Sequence, residues 1–337
     1  MQKKNPAKRR PERLVVTLLS LLFLSTAVFA TVKYVFRAPE LDTDKPVVTP
    51  DGTASADADR TDTDEPDALG RTRRKYCYNI LVSGLDDDNG GSDTNILVRF
   101  DVPNKRIDLV SLPRDTLLHN EYRNNKLNFA YAKGGTELLM EQIENLLGIP
   151  VDFYVTVNLK GFIALVDQID GVDFDIPINM DYDDPYQDLD IHFTKGPRHL
   201  NGQEAMEVVR FRHNNDGTGY GTEDIGRIGT QQAFLKAVAK QLLQIGNVKN
   251  IPALVDIFYT YVKTDLTTGN LVWLGNEALN IGTENIHFAT LPGDGSGYYN
   301  KQSVYVLDAQ ATCDLVNEAL NPYNEALTLE DMDILVP

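Results

Sequence analysis

The sequence predicts an α/β fold of the α-β-α type, in which helices cover both faces of a mixed central sheet, preceded by one transmembrane helix. Short apolar stretches with strand spacing alternate loosely with longer stretches that have the apolar period of a helix. Such alternation favours a sheet covered by helices over an all-helical or all-strand fold. A separate apolar segment near the N-terminus accounts for the membrane helix.

This N-terminal segment is long enough to cross a bilayer. Leu14 to Val32 form a run of 19 residues without charge, and about 20 apolar residues span the hydrocarbon core. Six basic residues precede the run, which by the positive-inside rule keeps residues 1–13 cytoplasmic and places the C-terminal domain outside the cell. We therefore predict a single-pass cell-membrane protein with its anchor at residues 14–36. A cleaved secretory signal ending near Ala30 is the alternative.

Composition and charge describe the remainder of the chain. Residues 37–74 are rich in Asp, Thr, Pro and Ala, a composition typical of a disordered linker. The extracellular domain is then predicted to cover residues 75–337, with 19 Lys and Arg against 38 Asp and Glu. A surface this acidic repels nucleic acid, so we expect no nucleic-acid partner.

The first half of this domain is predicted to supply most of the sheet. Strands at 78–85, 95–102 and 106–112 are separated by turn residues and should be neighbours. A helix at 136–147 ends at Gly148, two residues before Pro150. A further strand follows at 152–157.

The second half is predicted to be mainly helical, with short strands between the helices. Helices are predicted at 162–169, 203–209, 231–245, 250–262, 270–280 and 309–320 from their apolar period. Strands are predicted at 172–178, 190–193, 286–291 and 303–307, and the last two should close the sheet.

Two carboxylates are predicted at one edge of the sheet. Asp86 follows the first strand, and Asp93 lies before the second, between the hydroxyl residues Ser92 and Thr94. Oxygen ligands of this kind suit Mg²⁺, with Mn²⁺ as a possible substitute. Asp86 and Asp93 are thus the predicted metal ligands, although an exposed acidic hairpin without a metal remains the alternative.

Four arginines in three short motifs predict an anion site. Arg114 follows the third strand, Arg210 and Arg212 follow the helix at 203–209, and Arg227 lies in Asp-Ile-Gly-Arg. A guanidinium group binds phosphate oxygens bidentately, and this domain has only eight arginines. We therefore predict a cationic pocket inside an acidic surface, while an ordinary surface pair of Arg114 with Asp115 is the alternative. The glycine-rich stretch 214–221 is either a lid over this pocket or a plain surface turn.

Other catalytic patterns are missing from the sequence. The five histidines lack zinc-protease spacing, and only His213 lies beside one of the motifs. The stretch 291–297 lacks the pattern of a serine nucleophile elbow. Cys77 and Cys313 are either a disulfide or two buried thiols.

In combination, these motifs resemble the LytR-CpsA-Psr family of cell-envelope ligases. The resemblance covers about residues 76–307 and rests on four stretches: Gly84 to Asp86 with Ser92 to Thr94, Ser111 to Thr116, Asn201 to Arg212, and Asp224 to Gln232. Gly91 and Thr230 depart from the pattern, because arginine is frequent at both positions in the family.

The resemblance implies a Mg²⁺-dependent phosphotransferase. Its donor would be a glycopolymer on undecaprenyl pyrophosphate, its acceptor a peptidoglycan hydroxyl, usually the C6 hydroxyl of N-acetylmuramic acid, and its second product a polyprenyl phosphate. Two alternatives are a polyprenyl pyrophosphate hydrolase and a non-catalytic lipid-binding scaffold of the envelope.

The resemblance also implies the role of each site residue. Asp93, Arg114, Arg212 and Arg227 would be catalytic; Arg114, Arg210, Arg212, Arg227 and Gln231 would bind the pyrophosphate; Asp115 and Asp224 would orient the arginines; Asp86 and Asp93 would hold the metal. An apolar tunnel between the sheet and the helices would accept the prenyl chain.

Overall fold

The computed structural model describes residues 36–41, 47–48, 54–55, 66–67, 69–86, 90–186, 189–220, 224–244 and 257–337. Within these ranges no helix is both long enough and apolar enough to span a bilayer. The predicted cytoplasmic tail lies outside the described residues, and so does the predicted anchor apart from Phe36.

The strands and helices are numbered in chain order. The strands are β1 (Cys77–Asp86), β2 (Gly91–Asp101), β3 (Arg106–Leu112), β4 (Phe153–Asn158), β5 (Val172–Ile176), β6 (Met180–Asp184), β7 (Leu189–Phe193), β8 (Gly196–Leu200), β9 (Val262–Thr264), β10 (Ile286–Thr290), β11 (Gly293–Tyr299) and β12 (Gln302–Leu307). The helices are α1 (Leu127–Leu147), α2 (Leu159–Gln168), α3 (Gly202–Arg210), α4 (Asp224–Gln244), α5 (Thr268–Ile281) and α6 (Ala309–Ala319). Residues 257–261 are also helical, and a two-residue strand pair joins Val47–Val48 to Ala54–Ser55.

A six-stranded mixed sheet of order β9-β4-β1-β2-β3-β10 forms the centre. The strands β1, β2 and β3 are antiparallel neighbours, as the sequence predicts. The strands β4 and β10 pair in parallel with β1 and β3, whereas β9 is antiparallel to β4. The predicted mixed sheet is therefore confirmed.

Helices cover both faces of this sheet. Leu81, Leu97 and Val110 point to one face and pack with α1 and α6. Ile80 and Phe100, on the opposite face, pack with α5. Side chains alternate along a strand, so apolar residues at neighbouring positions supply both hydrophobic layers.

A second apolar cluster lies beside the sheet, among α2, α3, α4 and two antiparallel ribbons. The ribbons pair β5 with β8 and β6 with β7. Ile176, Ile191, Val166, Val208 and Phe234 are buried in this cluster. The sequence did not predict β6 or β8, because their Asp, Gly and Pro residues are uncommon in strands.

The predicted helix bounds have different outcomes. The helix predicted at 136–147 is confirmed as the second segment of α1, because Gly134 and Gly135 have non-helical φ and ψ and separate it from a first segment, beginning at Leu127, that the sequence did not predict. α4 begins at Asp224 rather than at residue 231, so the Asp-Ile-Gly-Arg motif forms its first turn. Val262, predicted to end a helix, instead begins the edge strand β9. The residues 245–256 of the two predicted helices lie outside the described part of the chain.

The predicted closing strands have different outcomes. β10 completes the sheet as expected, but β12 pairs with β11 in a separate hairpin. Neither strand has a sequence that specifies its partner, and the antiparallel neighbour β11 satisfies the hydrogen-bonding groups of β12 locally.

The folded domain begins before residue 75, where composition placed its start. Arg71 pairs with Asp67, Arg73 with Asp152, and Arg74 with Asp101. The side chains of Arg71 and Arg73 are only 8% and 13% exposed. These residues anchor the chain through buried ion pairs rather than apolar contacts, which is why a composition-based boundary missed them.

Candidate functional site

A cavity of about 930 Å³ lies between the sheet and the helices α2 and α4. Its walls come from the end of β1, the start of β2, the loop after β3, and the β6–β7 hairpin. Six of the predicted site residues line it: Asp93, Arg114, Arg210, Arg212, Arg227 and Gln231. Side chains from distant parts of the chain therefore converge on one space.

The acidic and basic residues at the sheet edge form one ion-pair network. Arg114 hydrogen-bonds to Asp93 through Nη1, and its Nε lies 3.8 Å from Asp115 Oδ1. Lys126 Nζ lies 3.2 Å from the same Asp115 oxygen. Asp115 is thus placed beside Arg114 but does not line the cavity, and Lys126 is a member of this network that the sequence did not predict.

The chain positions Arg210 and Arg212 through the residue between them. Phe211 is fully buried and packs its ring on Tyr220, with ring centroids 5.6 Å apart. Its φ and ψ of −57° and 132° lie near the values of polyproline II, so the chain leaves the helix at this residue. The burial of Phe211 fixes the chain between the two arginines, both of which line the cavity.

The start of α4 supplies Arg227 and Gln231. These residues are four positions apart on the helix and therefore share one face. Gln231 Nε2 donates to the carbonyl of Val209 at 3.1 Å. A Cβ at Gly226 would lie 2.2 Å from Tyr220 Cβ, which explains the glycine in this motif. The side chain of Asp224, predicted to orient an arginine, lies outside the described part of the structure.

Gln232 attaches α4 to the sheet. Its Nε2 donates to the carbonyl of Ala289 at 2.7 Å and to Thr290 Oγ1 at 2.8 Å, and Ser111 Oγ lies at 3.4 Å. These acceptors belong to the parallel pair β3 and β10. The two adjacent glutamines therefore have different roles, since only Gln231 lines the cavity.

The 211–220 segment is hydrogen-bonded to the β6–β7 hairpin. Asp181 N donates to Asn214 Oδ1 at 2.8 Å, and Asn215 N donates to the Asp181 carbonyl at 2.9 Å. Asn215 Nδ2 also donates to Asp183 Oδ2 at 2.7 Å. The described part of the predicted lid is a turn attached to the hairpin, which disfavours the lid and supports the alternative of a surface turn.

Aromatic residues that the sequence did not predict stand at the mouth of the cavity. Tyr182 lies against His213, with ring centroids 5.2 Å apart, and Tyr186 is fully exposed. Both tyrosines line the cavity, as does His213. Tyr182 stands among aspartates in the run Met-Asp-Tyr-Asp-Asp, which offers no signal for a binding residue.

The inner wall of the cavity is apolar. Phe162 and Phe234 pack together with ring centroids 5.8 Å apart, and Val209, Leu159 and Leu235 complete the wall. Phe234 is also part of the buried cluster beside the sheet. The cavity therefore combines a cationic mouth with an apolar interior.

The predicted metal ligands are only partly described. Asp93 presents a carboxylate to the cavity beside the hydroxyl residue Thr94. The side chain of Asp86 lies outside the described part. A carboxylate next to a hydroxyl, with phosphate oxygens from a substrate, is a donor set that fits Mg²⁺, which commonly binds one or two carboxylates and substrate phosphates.

Both cysteines are free thiols. Cys77 lies in β1 and Cys313 in α6, and both are buried. Burial raises the pKa of the Cys77 thiol to about 11. The sequence left a disulfide and two buried thiols open, and the structure has the two buried thiols.

The fold and the site together define a class of α/β protein whose cavity can hold an amphiphilic polyanion. Residues 47–321 match the LytR_cpsA_psr family. The chain belongs to this family, as its motifs indicated.

Two relatives of the chain are named for teichoic acid transfer. Over 252 residues the chain is 32% identical to the polyisoprenyl-teichoic acid–peptidoglycan teichoic acid transferase TagV of Bacillus subtilis, covering 71% of this chain but 62% of that protein. It is 31% identical to the corresponding TagU of Bacillus cereus, over 71% of this chain and 76% of the relative. The crystal structure of B. subtilis TagV superposes with a TM-score of 0.62 at 27% identity, covering 78% of this chain and all of that one.

Proposed function

We propose that this protein is a glycopolymer–peptidoglycan phosphotransferase. It would take a glycopolymer from a polyprenyl pyrophosphate carrier and transfer it, as a glycosyl phosphate, to a hydroxyl of peptidoglycan. The observation that carries this proposal is the convergence of four arginines on one cavity with an apolar inner wall. The names of the relatives TagV and TagU support the same reaction.

The donor has the chemistry that this cavity is able to bind. Its pyrophosphate carries negative charge that Arg114, Arg210, Arg212 and Arg227 can neutralise through charge-assisted hydrogen bonds. Its prenyl chain can pack on the apolar wall formed by residues such as Phe162 and Phe234. The acidic remainder of the domain would direct an anionic head group towards this one cationic region.

The reaction exchanges the phosphoanhydride bond of the donor for a phosphodiester bond to the acceptor. The acceptor oxygen bonds to the phosphorus that carries the glycan, the bridging P–O bond breaks, the acceptor proton is released, and polyprenyl phosphate leaves with the bridging oxygen. Phosphoryl transfer demands mainly positioning and charge neutralisation on the non-bridging oxygens. The arginines supply that neutralisation, and Arg114, attached to Asp93 and Asp115, is positioned by its partners.

Mg²⁺ is proposed as the cofactor, with Asp93 and Asp86 as its protein ligands. When bound, the ion would neutralise charge on the pyrophosphate oxygens. Asp93 hydrogen-bonds to Arg114 in the structure. Asp93 would hold the ion, and Arg114, its hydrogen-bond partner in the structure, would bind the phosphate.

We propose the cell membrane as the location, with a single-pass anchor at residues 14–36 and the domain outside the cell. The apolar run of 19 residues and the basic residues before it support this topology. An anchored enzyme would meet its lipid-linked donor within the same membrane.

The test uses full-length protein, a synthetic polyprenyl pyrophosphate-linked oligosaccharide with labelled sugar, peptidoglycan and MgCl₂. We expect polyprenyl phosphate and peptidoglycan-bound label to appear in equal amounts. Asp93→Asn should abolish both products, whereas Asp173→Asn should not, because the Asp173 side chain is 89% exposed on β5.

Two outcomes would contradict the transferase. Release of polyprenyl phosphate without label on peptidoglycan would identify a hydrolase. Binding of the lipid without release of either product would identify a lipid-binding scaffold.

A further inference from the structure

The outer side of α5 has no charged residue, although the domain as a whole is acidic. The 14 residues of α5 include one charged side chain, Glu277. The exposed positions Val272, Gly275, Asn276, Leu279 and Asn280 follow one another at helical spacing and form one stripe. Val272 and Leu279 are 36% and 51% exposed. Solvent-facing sides of helices usually carry charged residues, so this uncharged stripe differs from an ordinary surface.

Exposed aromatic residues surround this stripe. The ring of Tyr76 lies 6.0 Å from that of Trp273, and Tyr259 Oη hydrogen-bonds to the hydroxyl of Thr268 at the start of α5. Phe36 and Tyr76 are each 42% exposed, and Tyr259 is 69% exposed. We use the name α5 face for this surface, which consists of Phe36, Tyr76, Tyr259, Val272, Trp273 and Leu279.

The chain that leaves the predicted anchor packs against the buried side of α5, next to the α5 face. Asn270 Nδ2 donates to the carbonyl of Arg37 at 3.1 Å, and Tyr78 Oη donates to the carbonyl of Pro39 at 3.0 Å. Pro39 is buried, and Leu41 packs on the apolar cluster beneath α5. Residues 36–41 are therefore held beside α5 rather than forming a free tether.

The length of the connection keeps the α5 face close to the bilayer. The uncharged apolar run ends at Val32, four positions before Phe36. Four residues span at most about 14 Å even when fully extended. A domain attached this closely cannot present the opposite face to the membrane without releasing residues 36–41.

We propose that the α5 face rests on the outer surface of the bilayer, in addition to the anchor itself. This inference rests on the membrane anchor of the proposed function. Tyr and Trp prefer the membrane interface, where a ring can be apolar on one side and hydrated on the other. The absence of charge on the stripe reduces the electrostatic repulsion that the rest of this acidic domain would meet at anionic lipids.

The contact would also set the orientation of the cavity. Ile80 packs beneath α5, and Val82 and Gly84, at alternate positions of the same strand, line the cavity. Alternate residues of a strand point to the same face of the sheet. The α5 face and the cavity therefore lie on one side of the sheet, so that a fixed α5 face gives the cavity a fixed direction relative to the membrane.

Trp273 is the only tryptophan of the chain, which makes it a natural reporter. Full-length protein is inserted into nanodiscs of phosphatidylcholine that carries bromine atoms either near the head group or near the chain end. We expect bromine near the head group to quench Trp273 fluorescence, and bromine near the chain end to quench it less. Fluorescence equal to that in unbrominated discs would overturn the inference.

Two variants serve as controls. Val272→Asp combined with Leu279→Asp should remove most of the quenching while the protein stays in the discs and its thermal unfolding in detergent stays unchanged. Trp273→Phe combined with Tyr298→Trp moves the reporter to β11, where residue 298 is 70% exposed. That reporter should not be quenched.

Unchanged quenching in the aspartate variant, or equal quenching at position 298, would show that the α5 face has no special contact. Failure of the wild type to enter the discs would instead refute the anchor, which is a separate result from the loss of the α5 contact.

Discussion

At the residue scale, the candidate site depends on arginines that are held by different partners. Arg114 is paired with Asp93 and lies near Asp115, whereas Arg212 stands exposed between Phe211 and His213. A guanidinium offers a planar pair of donors to a phosphate, which the ammonium of lysine cannot match. The proposed reaction is therefore sensitive to shape as well as charge at these positions.

We expect Arg212→Lys to lower kcat/KM for the transferase reaction by about tenfold to a hundredfold, because it replaces a bidentate contact by a single one. The measurement is the rate of polyprenyl phosphate release. Arg198→Lys is the matched control, since Arg198 pairs with Glu204 and does not line the cavity. Equal rates for wild type and Arg212→Lys would exclude Arg212 from pyrophosphate binding.

Thr230 and Gly91, which stand where arginine is frequent in the family, both lie outside the cavity wall. Thr230 is 5% exposed, and its Oγ1 donates to the carbonyl of Gly226 at 3.1 Å. Gly91 begins β2. Neither residue lines the cavity, whereas all four of the predicted arginines do. The hydrogen bond to Gly226 satisfies the Thr230 hydroxyl within the helix, so the buried hydroxyl needs no further partner.

At the element scale, the close contact between α2 and α3 depends on Gly202. Its N–H donates to Asp167 Oδ1 at 2.7 Å, and a Cβ at this position would lie 2.2 Å from the carbonyl oxygen of Ile163. Asn201 before it caps the helix in a capping box with Glu204. The Asn-Gly pair of the motif thus positions α3, and with it Arg210, rather than contacting the cavity.

We expect Gly202→Ala to lower the free energy of unfolding by about 1–3 kcal/mol, because the added methyl group must displace the backbone of α2. Urea denaturation measures the change. Gly229→Ala is the control in α4, where a Cβ would meet no atom within 4 Å, and it should raise stability by about 0.5–1 kcal/mol. Equal stability of the two variants would contradict the packing argument.

The β6–β7 hairpin carries a charge cluster that the sequence did not indicate. His192 Nδ1 lies 2.8 Å from Asp181 Oδ1, and its Nε2 lies 2.6 Å from Asp190 Oδ1 and 3.2 Å from Asp183 Oδ1. The hydrogen bond to Asp181, followed by the interactions with Asp190 and Asp183, raises the pKa of His192 above its ordinary value of 6.5. A protonated His192 neutralises carboxylates of the hairpin to which the 211–220 turn is attached.

We expect the protein to lose stability as the pH rises through the raised pKa of His192. The stabilisation is complete below about pH 6.5, where His192 is charged in the folded and in the unfolded protein. It disappears at higher pH, once His192 of the folded protein has also released its proton. Urea denaturation at pH 6 and pH 8.5 measures the difference. His192→Gln should reduce this difference, whereas His287→Gln, at an exposed position of β10, should not.

At the scale of the whole molecule, the sheet separates two environments. One face packs on α1 and α6, and the other carries α5 and the cavity. The accessibility of the two cysteines measures whether the sheet and its helices stay folded, because Cys77 lies in β1 and Cys313 in α6. Burial raises the pKa of both thiols.

We expect both cysteines to resist alkylation at pH 8 in the folded protein and to react in denaturant without a reducing agent. A thiol with a raised pKa contains little thiolate, which is the reactive form. Mass spectrometry after iodoacetamide treatment counts the modified sites. Absence of modification in denaturant until a reductant is added would show a disulfide and contradict the structure.

The sequence by itself determined the fold class, the three neighbouring strands β1 to β3, and the motifs that supply Asp93, Arg114, Arg210, Arg212 and Arg227. Strand alternation and helical periodicity are local properties, and short motifs with unusual arginine placement stand out against an acidic composition.

Only the tertiary structure decided which of these residues share one cavity and which elements surround it. The convergence of Asp93 with the four arginines, and the aromatic residues Tyr182 and Tyr186 at the cavity, depend on contacts between distant segments. These contacts are stabilised by the burial of apolar side chains from segments that are far apart in the sequence. The spacing of residues along the chain does not show which segments meet.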